Sequence, residues 1–224
     1  MNVRDTGPSS AEPPAGADRP LAMTVVGLVM VIGGLAFAAA LALSPLEGGL
    51  DILGLVPALV VGGLMVAAGI LALRRGTHAA FVLMALDLVG LAIATYLSAV
   101  ELPGGLPQCG VLHGCQEVAL SQYARVGGIP VAVFGVILSL TLLVLAYRWW
   151  RTGSITMLGA HYFLSLLGTI FEGWFTYAEV FLIGRVCIWC AAYGISLVLR
   201  FIVALIVWLH RPRGVEAEAE AVGG

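Results

Sequence analysis

The chain has 224 residues, of which 60% are hydrophobic and 11% charged. A mean hydropathy of +1.02 excludes an ordinary soluble domain, in which apolar residues make up about half. The formal charge of −2 sets 13 acidic residues against 11 basic ones, all Arg, and no basic cluster marks a soluble face, which excludes nucleic acid as a partner.

Residues 1–20, rich in Pro, Gly, Ser and Ala, read as a disordered cytoplasmic tail. A signal peptide ending near "ALALS" is the alternative, although the charged, Pro-rich start suits it poorly. Six apolar stretches follow, at 21–43, 52–73, 78–100, 129–148, 155–182 and 187–209. Each approaches the roughly 20 residues that a bilayer core requires, so the fold class is an all-α membrane protein. Gly33–Gly34 and Gly62–Gly63 let the first two spans pack closely. Short breaks, "SPLEGGLD", "RRGTH" and "RWWRTGS", separate most spans, and only Gly184 and Arg185 part the last two. The segment 101–128 is a long loop, and 211–224 reads as a second cytoplasmic tail.

Arginines orient the spans. Arg4, Arg19, Arg74, Arg75, Arg148, Arg151, Arg211 and Arg213 share one side if the helices alternate, and Arg125 and Arg185 lie on the other. The positive-inside rule then puts both termini in the cytoplasm and faces the 101–128 loop outward. All four cysteines fall on that outer, oxidising side: Cys109 and Cys115 in the loop, Cys187 and Cys190 at the start of span six. Four cysteines allow three pairings, and spacing alone selects none.

A C-x-x-C pair closes a small, readily exchanged ring. At a helix N-terminus, free amides and the helix dipole favour the thiolate of Cys187 or Cys190, the species that attacks disulfides. A dithiol at the lipid boundary can connect aqueous thiols to a lipid-soluble oxidant. Cys109 and Cys115, with two Gly between them, form a flexible pair able to visit it. Two other readings stand beside this one. The cysteines are inert staples, or Cys109, His113, Cys115, Cys187 and Cys190 hold zinc in a metal-binding or transport protein. His113 is otherwise a solvated loop histidine or a neighbour that steadies a thiolate.

Charges inside spans are costly. Asp87 and Arg200 lie at equal depth and are expected to pair, unless Arg200 snorkels alone to the inner surface. Glu172 is a candidate for handling protons, Glu179 is expected to face Arg185, and His78 and His161 are expected at the inner interface.

The stretches "CGVLHGCQEVALSQYARVGGIPVAVFG" and "FTYAEVFLIGRVCIWC" resemble the bacterial homologues of vitamin K epoxide reductase. The motifs are the paired loop cysteines, a Ser six residues after the second, the "GIPVAVFG" helix entry and the C-x-x-C opening the last helix. "YLSAVEL" also fits, and the likeness covers about 78–209. It implies a four-helix transmembrane bundle core over 78–210, with two extra N-terminal transmembrane helices as an accessory hairpin at 21–75. It implies a thiol:quinone oxidoreductase of the bacterial inner membrane that reoxidises a secreted thioredoxin-like thiol oxidase and reduces a lipid quinone, menaquinone or ubiquinone. Cys109 and Cys115 would be the shuttle pair, Cys187 and Cys190 the quinone-side pair with Cys190 nearest the quinone, and Ser121 a quinone contact. Glu179 departs from the pattern, since many relatives carry Gln there. If "CQEVALSQY" is helical, Cys115 and Ser121 lie about 240° apart, so Ser121 faces the bundle; capping or a local backbone bond is its alternative role.

Overall fold

A computed structural model of the chain describes residues 21–42, 52–74, 78–109 and 114–210. The tails at 1–20 and 211–224, His113, and Arg4, Arg19, Arg75, Arg211 and Arg213 lie outside the described residues. The long helices are α1 (Leu21–Ala42), α2 (Ile52–Leu73), α3 (Ala79–Glu101), α5 (Val131–Thr152), α6 (Ile155–Tyr177) and α7 (Ile188–Leu209). Between α3 and α5 lie the short helix α4 (Cys115–Leu120), a 3-10 turn (Gln122–Ala124) and a two-strand hairpin, β1 (Arg125–Val126) with β2 (Ile129–Pro130). Among the described residues, four helical segments are long and apolar enough to cross a bilayer: Ala79–Glu101, Val131–Thr152, Ile155–Ile183 and Ile188–Leu209. The apolar stretches of the first two helices, Met23–Ala39 and Leu59–Leu73, are shorter.

Two boundaries differ from the sequence reading. The span expected at 129–148 begins at Val131, because Gly127 and Gly128 take positive φ and turn residues 125–130 into the hairpin. It runs on to Thr152, because Arg148, Trp149, Trp150 and Arg151 continue the helix and only Gly153, at φ 65°, stops it.

Helix α3 lies at the centre of the bundle and packs on α2, α5 and α7, while α6 closes the far side against α5 and α7. Helices α1 and α2 pack chiefly on each other, and α2 seats on α3. One glycine from each predicted pair makes the close approach. A Cβ on Gly34 would meet the Gly62 carbonyl at 2.8 Å, and one on Gly62 the Gly34 carbonyl at 3.0 Å. Gly63 meets nothing, and the second crossing point is Gly27 against Gly69. His78 is exposed beside Trp149, near Trp150 and Arg151, as an interfacial residue should be.

His161 does not share that role. It is buried, and its Nε2 lies 3.2 Å from Asp87 Oδ2. Arg200 Nε lies 3.6 Å from Asp87 Oδ1, so the expected pair forms and Arg200 does not snorkel. The Arg200 guanidinium also donates to Ser196 Oγ at 2.9 Å and Ser139 Oγ at 3.4 Å, and it fills the space a side chain at Gly90 would need. The cluster thus ties α3, α5, α6 and α7 together at one level, where lipid offers no competing partner.

Removing one partner of a buried ion pair strands the other charge. Asp87→Ala should lower stability by about 3–5 kcal/mol, whereas Asp87→Leu with Arg200→Met should recover most of the loss. Unfolding midpoints in detergent check both.

Candidate functional site

The site begins where α6 ends. Its last turn, Ala178–Ile183, widens into a π-helix, and Gly184 at φ 73° terminates it with the Arg185 N–H donating to the Glu179 carbonyl at 3.0 Å. Three residues later Cys187 caps α7, and its Sγ accepts from the Cys190 N–H at 3.4 Å. The expected dithiol at a helix N-terminus is therefore present, with a sulfur acting as the N-cap. Both thiols are free, Cys187 buried and Cys190 half-buried.

Glu179 departs from expectation. Its side chain does not face Arg185 but turns inward, 2% exposed, and Oε2 accepts the Cys187 N–H at 3.2 Å. A Glu179 oxygen and the two sulfurs lie within 4.8 Å of one another. Arg185 instead pairs with Glu117 at 2.6 Å on the exposed face of α4, where such a pair contributes little.

Of the three possible pairings, the structure contains Cys109–Cys115, with Cα atoms 5.5 Å apart. Both sulfurs are thereby withdrawn from the five-ligand metal set drawn from sequence. The pair is also less free than its glycines implied. The Trp189 Nε1–H donates to the Gln108 carbonyl at 2.7 Å, and the Gln108 N–H reaches Tyr96 Oη at 3.4 Å. Tyr96 and Phe37 pack on the fully buried Trp189 ring, at centroid distances of 4.4 and 5.0 Å. The residue preceding Cys109 is thus clamped to the middle of the C-x-x-C motif. On the other side of the disulfide, Gly114 lies so close to the Val186 backbone that a Cβ would overlap the Val186 carbonyl. That approach sets Cys115, fully buried, next to the turn that carries Cys187.

The two cysteine pairs meet at a cavity of about 500 Å³ between α3, α4, α5, α6 and α7. Cys115, Cys187, Cys190, Glu101, Glu172 and Tyr193 supply sulfur and polar atoms to walls that are otherwise largely apolar. Phe134, Leu167 and Phe171 line it and are also exposed, so the cavity opens between α5 and α6 toward the lipid side. A small molecule with an apolar tail fits a cavity of this size and polarity. Ser121 ends α4 rather than continuing it, so the angular argument from a longer helix does not apply. Its Oγ is buried without a hydrogen-bond partner and caps neither helix it adjoins, while neighbouring Val118, Ala119 and Ala124 line the cavity.

Sequence reasoning singled out the four cysteines, Ser121 and Glu172. It missed Gly114, Gln108, Trp189 and the inward role of Glu179. The signals were present, in a glycine directly before Cys115 and a tryptophan inside the C-x-x-C, but their meaning depends on contacts across 72 and 81 positions of sequence.

Comparison with known proteins gives one match: the family model described as "Vitamin K epoxide reductase family" covers residues 81–205. No curated protein and no solved structure matches the chain.

Trp189→Phe keeps the ring and removes the bond to Gln108. It should cost about 1 kcal/mol and release the loop, seen as faster proteolysis around residues 102–108 and slower disulfide exchange between the loop and Cys187.

Proposed function

Since the chain belongs to the vitamin K epoxide reductase family, and is thereby a multi-pass membrane oxidoreductase, we propose that it is a thiol:quinone oxidoreductase reoxidising a secreted thioredoxin-like disulfide-forming protein. The observation that carries this reading is the cavity: one apolar chamber open to lipid whose wall holds both Cys115 and the Cys187–Cys190 dithiol. Electrons would enter as a partner's dithiol reduces Cys109–Cys115. A thiolate at Cys115 then attacks Cys187 of an oxidised Cys187–Cys190 pair, forming a mixed disulfide, and Cys109 resolves it. The product is the arrangement observed, with the loop pair oxidised and two free thiols at α7. Those thiols pass two electrons to a menaquinone or ubiquinone ring, and their disulfide reforms. Each 30 mV of downhill potential supplies about 1.4 kcal/mol, so a quinone kept oxidised draws the exchanges one way.

Residues of this chain fit such a ring. Cys190 is the half-buried thiol on the cavity wall, and the unpartnered Ser121 Oγ lies behind the lining residues Val118, Ala119 and Ala124, where a small shift would bring it to a quinone carbonyl. The membrane would be the bacterial inner membrane, with the cysteines outside, both termini cytoplasmic, and α1 and α2 crossing as an accessory hairpin beside the 78–210 core. Arg74, Arg148 and Arg151 at one end, and Arg125 and Arg185 at the other, support that orientation. An impermeant maleimide should label reduced Cys109 from outside intact cells, and labelling only after lysis would reverse it.

Anaerobic mixing with a reduced thioredoxin-like partner and a short-chain quinone tests the activity. Cys187→Ala and Cys190→Ala should each abolish hydroquinone formation. Cys109→Ala or Cys115→Ala should block turnover with the protein partner but spare slow turnover with a small dithiol. Equal loss with both reductants would make the loop pair a staple.

Ser121→Ala should raise the apparent quinone KM several-fold, matching the roughly 1 kcal/mol of one hydrogen bond, with single-turnover oxidation of the partner unchanged.

A further inference from the structure

The proposed reaction moves two protons as well as two electrons, and the cysteine chemistry leaves two carboxyl groups of the site unassigned, Glu172 on the cavity wall and Glu179 at the dithiol. Glu179 and Glu172 both lie on the segment Ile155–Ile183, seven residues apart. Glu172 lies in the α-helical part and Glu179 in the π-helical turn, and both side chains reach α7, Glu172 at Gly194 and Glu179 at the Cys187 N–H. Glu179 sits at the dithiol, within 4.8 Å of both sulfurs. Glu172 lies deeper, on the cavity wall, seated against α7 where Gly194 leaves room: a Cβ there would meet Glu172 Cγ and Oε1 at 2.9 Å. Among the described residues no basic side chain pairs with either carboxyl, although Asp87 in the same bundle is paired twice. A carboxyl without a counter-ion inside a membrane bundle is expensive to keep and is characteristic of proton-handling positions.

We propose that Glu179 and Glu172 are the proton-transfer groups of this site: Glu179 takes the thiol proton at the Cys187–Cys190 pair, and Glu172 gives a proton to the quinone oxygen remote from it. The inference rests on the quinone reading above and deepens it. The two oxygens of a para-quinone lie at opposite ends of the ring, so one donor cannot serve both without the ring turning over. A carboxyl at the dithiol and a second about 10 Å further along the same helix serve the two ends, at a rise of about 1.5 Å per residue. The step balances. Two S–H bonds break and one S–S bond forms between Cys187 and Cys190; one thiol proton passes to Glu179 and the other to the near quinone oxygen, while Glu172 protonates the far one. Two electrons reduce the quinone to hydroquinone, and two O–H bonds form. The proton gained at Glu179 and the one lost at Glu172 exchange through the cavity before the next turnover, so neither carboxyl is changed overall.

The test uses the full chain in detergent, reduced to the free Cys187–Cys190 dithiol and mixed anaerobically with a short-chain benzoquinone in a stopped-flow instrument. Glu179→Gln retains an oxygen that can accept the Cys187 N–H but cannot carry a proton. That variant and Glu172→Gln should each slow hydroquinone formation about 100-fold, the range of a lost general acid or base, and make the rate sensitive to D2O. Exchange between Cys109–Cys115 and Cys187–Cys190, which needs no quinone, should keep its wild-type rate in Glu172→Gln, and an unchanged unfolding midpoint should confirm that Glu179→Gln folds. Glu117→Gln on the surface of α4 should change nothing. Wild-type hydroquinone formation in both Gln variants would overturn the proposal, as would a Glu179→Ala defect that Gln fully restores, which would leave Glu179 a holding role only. Failure of the wild-type protein to reduce the quinone would instead overturn the underlying quinone reading.

Discussion

A backbone that leaves one membrane helix and enters the next within four residues has amide groups to satisfy and little water to do it with. At the α6–α7 turn this chain satisfies them with the groups of the site itself. The Glu179 carbonyl takes the Arg185 N–H, its carboxylate takes the Cys187 N–H, and the Cys187 sulfur takes the Cys190 N–H. Capping and chemistry are therefore one set of contacts. The π-helical last turn of α6 and the left-handed Gly184 make the set possible, because together they fold the chain back over Glu179 and aim its carboxylate at the start of α7.

The rest of the outer end is organised around that turn. Gly114 lets the loop lie on Val186, and Trp189, fixed by Tyr96 and Phe37, holds Gln108. The disulfide lies between these two anchors, so a loop with few contacts of its own is placed against the dithiol by contacts to the membrane helices. The cavity results from the same arrangement. Helices α5 and α6 flank it with apolar side chains, and the sulfurs occupy the end nearest the aqueous loop.

The Asp87–His161–Arg200 cluster lies apart from the cysteines yet serves the same geometry. It joins α3, α6 and α7 and reaches α5 through Ser139, whose Oγ lies 3.4 Å from Tyr193 Oη on the cavity wall. Tyr193 also donates to the Gly135 carbonyl at 3.3 Å. Charges buried in lipid fix which helix faces meet, since any other rotation would leave them unpaired.

The sequence determined the long helices to within a few residues at each end. Hydropathy over 20 or so positions is a local property, and a bilayer admits little but helix. It also placed the C-x-x-C at a helix start, because the polar break at Gly184 and Arg185 is local, and it placed the Asp87–Arg200 pair, because equal depth can be counted along the chain. Three-dimensional packing decided the remainder. His161 belongs with Asp87 rather than at the interface, since α6 presents that face to α3; counting from the helix end gives depth but not direction. Glu179 turns to Cys187 instead of Arg185 because a π-turn changes the angle per residue, which no periodicity of apolar residues reveals. Ser121 falls past the end of α4, and Gly114 and Trp189 draw their meaning from partners 72 and 81 positions away. Contacts of that separation follow from how the helices are arranged, and arrangement is the information a single chain of letters does not carry.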